Sequence, residues 1–350
     1  MKKTFWGALL VATALSGPVQ AQDIFEALSQ TYKTNPTLQA QRANLRSIDE
    51  NVAIAKSGYR PNISLTGSYT DAHVNSNVAA QDNDSKQSAV AAKISQSLFS
   101  GFQTVNSVKS ADSLVRSEQN NLFNVEQNVF LEASTAYLDV VRDASIVELQ
   151  KNNEKLLKKR LDETEQRFNV GEVTRTDVSQ AKARYSRAKA DRISAEGTLE
   201  VSKAVFEKII GEKPENLSEP ENLNKFLPKT SDEALSYALS HNFAILQAKH
   251  YLNSKTYDVA VNNGALLPSV SLDGVASHTR GDIDLYSDDV KTDNLEWGVN
   301  MTVPLYNSGE TRAKIRQSKY LKWEAQEKVM EATRSVVSTV TSAWEYMLAN

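Results

Sequence analysis

The chain has 350 residues, no cysteine, and 40 Lys and Arg side chains against 43 Asp and Glu. The missing cysteine excludes disulfides and thiolate metal sites, and a formal net charge of −3 argues against broad nucleic-acid binding. Beyond the first 21 residues no run approaches the roughly 18 apolar residues of a membrane helix, which leaves an exported soluble protein or a β-barrel.

Residues 1–21 read as a secretory signal. Lys2 and Lys3 precede an apolar run over 5–17, and Val19 and Ala21 sit three and one residues before a cut at Gln22. An uncleaved anchor is the alternative, but that run is shorter than the roughly 20 residues a span needs.

After the signal the chain repeats itself at an offset of 207 residues: Glu26-Ala27-Leu28-Ser29 recurs as Glu233-Ala234-Leu235-Ser236, Pro61 as Pro268, Gly67 as Gly274 and Leu98 as Leu305. Gly101 meets Gly309 after one inserted residue. Repeat 1 is expected over 22–229 and repeat 2, incomplete, over 230–350.

Repeat 1 opens with helices over 23–58, broken near Asn35-Pro36, because proline suits a first helical turn and discourages helix before it. Pro61 ends them. A strand follows over 62–70, with Ile63, Leu65, Gly67 and Tyr69 alternating with polar residues. A polar loop over 71–87 leads to its partner over 88–99, which places Val90, Ala92, Ile94 and Leu98 on one face.

A helical hairpin is expected over 102–210. From Phe102 to Arg167 there is neither Pro nor Gly, a helix of about 100 Å at ~1.5 Å per residue. Val108, Val115, Leu122, Val129 and Ala136 recur every seven residues, with Ala133, Val140 and Val147 beside them. Such series require a supercoil, and two of them require a neighbour on each side. Phe168-Asn169-Val170-Gly171 is the turn, and Thr174 or Thr176 caps the return helix. That helix turns Val178, Ala181, Tyr185, Ala188 and Ala195 toward a seam. A linker over 211–229 contains Pro214, Pro220 and Pro228.

Repeat 2 starts on a capping box, Thr230 to Glu233, and gives helices over 230–264. Strands are expected over 269–278 and 294–305, around an acidic loop over 279–293. Leu295, Trp297, Val299, Met301, Val303 and Leu305 alternate without a break against polar partners, as a lipid-facing strand of about 9–11 residues does. A soluble sandwich strand is the alternative. A long helix over 309–350 carries Ala313, Tyr320, Val329, Val336, Val337, Val340 and Ala343. On the same offset, a second turn and return helix would fall beyond Asn350.

Asp282, Asp284, Asp288 and Asp289 lack the spacing of a calcium loop, and the four histidines make no cluster. No hydrolase, zinc-protease or phosphate-loop motif occurs, so neither enzyme activity nor a metal or cofactor is expected. The architecture is compatible with a membrane conduit, a periplasmic coiled-coil adaptor or a structural coiled coil.

Strand, loop, strand and long hairpin, twice over, resemble the TolC family of outer-membrane channel-tunnels. The resemblance rests on Arg167-Phe168-Asn169-Val170-Gly171-Glu172-Val173-Thr174-Arg175-Thr176-Asp177-Val178, on Leu98-Phe99-Ser100-Gly101 paired with Leu305-Tyr306-Asn307-Ser308-Gly309, and on Pro61 and Pro268 before the strands. It implies a mixed α and β fold: an internally duplicated protomer of a trimeric, twelve-stranded outer-membrane β-barrel, continued by an antiparallel coiled-coil tunnel. Pro61, Gly101, Pro268 and Gly309 are then the barrel–helix junctions. The wording from Glu172 to Asp177 is most similar to members serving type I protein secretion, and the implied function is passive export by type I secretion or multidrug efflux. The implied partners are a periplasmic adaptor, an inner-membrane ABC or proton-driven transporter, and outer-membrane lipid. Val170, Gly171, Glu172, Thr176 and Asp177 would form the periplasmic gate and adaptor dock. Asp177 would latch the gate by pairing with the second hairpin; its plainer role is to favour the positive end of its own helix.

Overall fold

The computed structural model describes residues 23–74, 83–219, 227–283 and 286–349. The secretory signal and Pro220 of the linker lie outside the described residues. The described residues form two compact units, one within 1–39 and 125–227 and the other within 40–124 and 228–350, so the units cut across the repeats.

The first helix, α1 (Ile24–Thr34), begins where the Asp23 carboxylate accepts from the Ile24 N–H. Asn35 then separates it from α2 (Pro36–Ser57). Its side chain accepts from the amides of Thr37 and Leu38 at 2.9 and 3.3 Å, so one residue stops one helix and caps the next. The hairpin follows as α3 (Gln103–Asn169), unbroken for 67 residues, and α4 (Arg175–Ile210).

In the first unit, Ala27 of α1, Ala133, Tyr137 and Val140 of α3, and Phe206 and Ile210 of α4 form a buried core. Phe206 is fully buried, which contributes about 1.5–3 kcal/mol. Tyr137 is equally buried, and its hydroxyl donates to the Ser218 carbonyl at 2.8 Å. Burial works to raise the Asp143 carboxyl, but Ser202 donates to it at 2.5 Å and Arg142 flanks it, so it is held below the usual carboxylate range. Arg192 of α4 bonds Glu154 of α3 at 2.5 Å and Glu196 at 2.6 Å, a further tie within the hairpin.

The second unit holds the sheet and the helices α5 (Ser231–His241), α6 (Phe243–Gly264) and α7 (Glu310–Ala349). Thr230 caps α5, its hydroxyl accepting from the Glu233 amide at 3.2 Å, but the expected capping box is only half formed, since the Glu233 carboxylate accepts from the Lys229 amide at 3.1 Å. Small residues let helices approach: Ser110 of α3 lies 2.9 Å from the Ser254 hydroxyl of α6 and donates to Asp258 at 2.5 Å. On α7 the buried positions are Ile315, Ser318, Ala325 and Val336. Ala313, Tyr320 and Ala343 are exposed, contrary to expectation: Ala313 and Tyr320 lie on the helix face away from Ile315 and Ala325, while Ala343 shares the buried face but lies past its last buried position, Val336.

Four antiparallel strands form one sheet in the order β1 (Asn62–Val74), β2 (Asn83–Ser100), β3 (Ser269–Ile283) and β4 (Tyr286–Thr302). They run further into the polar segments than the expected strands over 62–70, 88–99, 269–278 and 294–305. Alternation of apolar and polar residues signals a strand only where one face meets an apolar medium. Beyond that belt the ladder continues through polar pairs such as Asp71 with Lys86 and Thr279 with Thr292. Much of the expected acidic loop is therefore ladder, with Asp282 opposite Asp289. In the other direction β4 stops at Thr302, which pairs with Ser269, the first residue of β3. Val303 and Leu305 lie past the strand because no neighbour reaches them, and Pro304 has no N–H to offer.

Candidate functional site: a two-faced sheet and a helix-hairpin turn

The register of the sheet aligns the apolar residues of all four strands. Ile63, Leu65 and Gly67 stand opposite Ile94, Ala92 and Val90. Ile94 and Ala92 face Gly274 and Ala276, which in turn face Trp297 and Leu295. Val270 and Leu272 complete the row against Met301 and Val299. Leu65 is 74% exposed and Trp297 77%, so this is a broad apolar face open to the surroundings.

The opposite face is polar. Ser64 pairs with Lys93 and Ser271 with Asn300. Asp273 collects three donors, Ser95 at 2.5 Å, Ser271 at 2.7 Å and Asn300 at 2.8 Å. These join β2, β3 and β4 across the polar side. A sheet with one apolar and one polar face, and with two open edges at β1 and β4, suits a wall between lipid and water once its edges are closed.

Each hairpin of the sheet reproduces the other. Ile63 opposite Ile94 becomes Val270 opposite Met301, and Leu65 opposite Ala92 becomes Leu272 opposite Val299, each residue advanced by 207. Pro61 and Pro268 immediately precede β1 and β3. Gly101 and Gly309 lie between strand and helix with φ of +62° and +83°.

The helix-hairpin turn is in the other unit. The Glu172 amide donates to the Arg167 carbonyl at 2.9 Å and the Gly171 amide to Phe168 at 3.0 Å. Gly171 has a φ of +83°, a conformation glycine adopts without steric cost. Arg167 also bonds the Glu172 carboxylate at 3.0 Å. Thr174, not Thr176, caps α4: its hydroxyl accepts from the Asp177 amide at 3.3 Å. Asp177 returns the contact, accepting the Thr174 amide at 2.8 Å and its hydroxyl at 2.7 Å. These bonds, with Arg167 nearby, hold the Asp177 carboxyl below its ordinary value. Val170 and Thr176 are exposed at the turn. Arg160, Arg167 and Arg184 line a recess of about 310 Å³ that Asp177 also borders.

Two features escaped sequence reasoning. The spacing Thr174-x-x-Asp177 is itself a capping-box signal. Gly264, at the expected end of the helices over 230–264, lies against Gly101, a contact for which the sequence carries no local signal. Among the described residues, no group of three or more His, Cys, Asp or Glu could hold a metal ion.

Comparison with known proteins bears on the same features. A family model described as outer membrane efflux protein matches residues 27–212 and 234–349. The outer membrane efflux protein BepC of Brucella suis biovar 1 (strain 1330) is 35% identical over 342 residues, covering 97% of this chain and 73% of that protein. The outer membrane protein TolC of Escherichia coli (strain K12) is 25% identical, covering 98% of this chain and 72% of that protein. A crystal structure of CusC superposes with a TM-score of 0.77 at 13% identity, over 94% of this chain and 76% of that one, a likeness of fold. With its duplicated two-faced hairpins and long helices, the chain belongs to the outer membrane efflux protein family.

Proposed function

We propose that three copies of the chain close their sheets into one twelve-stranded barrel, apolar face to lipid and polar face to a water-filled lumen. As a member of its family the protein is an outer-membrane channel for efflux or secretion, a transport conduit with no enzymatic chemistry. The observation that carries the proposal is the apolar row shared in register by all four strands, with both sheet edges open. In lipid, open edges leave backbone groups without partners at several kcal/mol each, so closure by other copies is required. Eight strands would give a barrel filled by its own side chains. Twelve leave a lumen.

Family members work with adaptors and inner-membrane transporters. For this chain the turn at Val170, Gly171, Glu172, Thr176 and Asp177 is the proposed gate and adaptor dock. Its support is the capped geometry of an exposed turn beside an arginine-lined recess. Energy for export comes from the transporter, and the channel supplies the passage. Insertion of the purified full-length protein into planar bilayers tests this: discrete conductance steps from a species three chains in mass support it. A monomer that leaves the bilayer silent contradicts it.

A further inference from the structure

Ten residues separate Val270 from Arg280 on β3, and Met301 from Lys291 on β4. All four lie on the apolar side of the sheet, since alternate residues of a strand share a face. At about 3.4 Å per residue and a tilt of about 35–45°, ten residues climb roughly 25 Å along the membrane normal. That is about the height of the lipid-facing band of an outer-membrane barrel. Arg280 and Lys291 therefore stand where the band ends. They are opposite one another, and Ser88 of β2 and Tyr69 of β1 continue the same row. Tyr69 is exposed at the level where such barrels carry an aromatic girdle. Lys86 lies one row further out on the same face.

Charge at this level is sorted by face. The opposite, polar face carries Ser68, Ala89, Thr279 and Thr292 in one row and Thr70, Gln87, Gly281 and Val290 in the next, all uncharged. Water would accept Arg280 and Lys291 on either face, so solvation alone does not account for their side. One row nearer the apolar belt, Asp293 is engaged by His278 at 2.6 Å. One row further out, Asp71 pairs with Lys86 and Asp282 with Asp289 in the ladder. Between these two levels lies a row whose charged members are both cations. The strand turns are at the end of the sheet away from the helices. No helix among the described residues is long and apolar enough to cross a membrane. With the helices on the periplasmic side, as in the channel reading, the turns and the cationic row belong to the outer leaflet.

We propose that Arg280 and Lys291, on the outward face of β3 and β4, bind the phosphate groups of the outer-leaflet glycolipid, with Lys86 at the margin of the site. Directly opposed residues hold their Cβ atoms about 4.5–5.5 Å apart, close enough for both cations to reach one phosphate. The arginine fork takes two phosphate oxygens at once, and the lysine adds a point charge. The glycolipid suits the site better than a phospholipid does. It bears two phosphates on one sugar backbone, and its several acyl chains have a wide apolar face to lie against. That face continues directly below the cations, through Leu65, Ala276, Leu295 and Trp297.

The site rests on the channel-wall reading for its setting, yet the two can fail separately. Full-length protein in mild detergent is titrated with diphosphoryl lipid A, and bound lipid is counted by native mass spectrometry. Monophosphoryl lipid A and phosphatidylglycerol are the comparison probes. Diphosphoryl lipid A should be held most tightly. Arg280→Gln with Lys291→Gln should weaken it about 30-fold, a factor of roughly five for each cation at a charged lipid surface. Arg280→Lys with Lys291→Arg keeps both charges and should retain most of the affinity. Where the glutamine pair fails to assemble, Arg280→Gln and Lys291→Gln are read singly, each at roughly fivefold. Unchanged affinity in the glutamine variants overturns the site. Equal retention of phosphatidylglycerol and diphosphoryl lipid A overturns the glycolipid as its ligand. A wild type that conducts in planar bilayers and is indifferent to lipid A removes the site alone. One that holds lipid A and never conducts keeps the site and removes the conduit.

Discussion

Gly101 and Gly264 press their backbones together so closely that a Cβ built on either would overlap the carbonyl oxygen of the other. This contact joins the end of β2 to the end of α6, at the passage from strand to helix in the second unit. Gly101 also needs its positive φ, so two constraints fall on one residue. Gly101→Ala should cost at least about 1–3 kcal/mol from backbone strain alone. Gly309 has a positive φ but open space around it, so Gly309→Ala should cost less. Heat dissociation of the detergent-extracted protein ranks the two. Equal loss would mean that strain, not contact, dominates at Gly101.

The core of the first unit predicts an ordering of its own. Phe206→Ala removes a fully buried ring and should destabilise by about 3–5 kcal/mol. Tyr137→Phe keeps the ring and leaves the Ser218 carbonyl without the phenol, which should cost about 1–3 kcal/mol. Denaturant midpoints of the two variants check the order. A Tyr137→Phe variant as stable as the parent would show that solvent satisfies that carbonyl.

At the turn, Asp177 serves the cap whether or not it also serves the gate. Its carboxyl is lowered from 3.8 by the Thr174 bonds, so the stabilisation is present above that value and fades as pH falls through the lower folded value. Amide exchange at the start of α4 should accelerate only in that acid range, and Asp177→Asn should abolish the transition. An acceleration near neutral pH would contradict the assignment.

Gate and cap separate in conductance. Thr174→Ala weakens the cap, by roughly 0.5–2 kcal/mol, and leaves the Asp177 charge in place. Asp177→Ala removes both. If the carboxylate acts in the gate, Asp177→Ala should raise single-channel conductance and Thr174→Ala should not. Equal changes in the two variants would assign the effect to helix fraying.

The two faces of the sheet should respond differently to charge. Val299→Arg puts a cation on the apolar face and should cost about 2–4 kcal/mol near the bilayer centre. Asn300→Arg, on the polar face, should assemble normally and shift ion selectivity toward anions. Assembly yield and reversal potential report the two effects. Poor assembly of both variants would count against a water-filled polar side.

Much of this was legible because the sequence signals were local. Pro36 marks the start of α2, Gly171 the turn, and the alternation from Leu295 to Met301 a two-faced strand. Strand ends were not legible, since polar pairs such as Asp71 with Lys86 carry no alternation in hydropathy. The stop of β4 at Thr302 depends on where β3 begins, which is a property of the partner strand. The seven-residue series was clearest where it is most buried, at Val129, Ala136, Val140 and Val147. Val108, Val115 and Leu122 carry the same spacing and are only half-buried, so spacing shows a seam and not how completely it is covered. The contact of Gly101 with Gly264 joins residues far apart in sequence, and no local pattern points from one to the other.

Nitroxide labels placed singly along β4 of the membrane-inserted protein test most directly whether the sheet is a wall between lipid and water. Labels at 297, 299 and 301 should be relaxed by oxygen dissolved in the bilayer, and labels at 298 and 300 by an aqueous nickel chelate. Should 297, 299 and 301 prove shielded from lipid and packed in a water-soluble interior, the account of this chain as a channel wall fails.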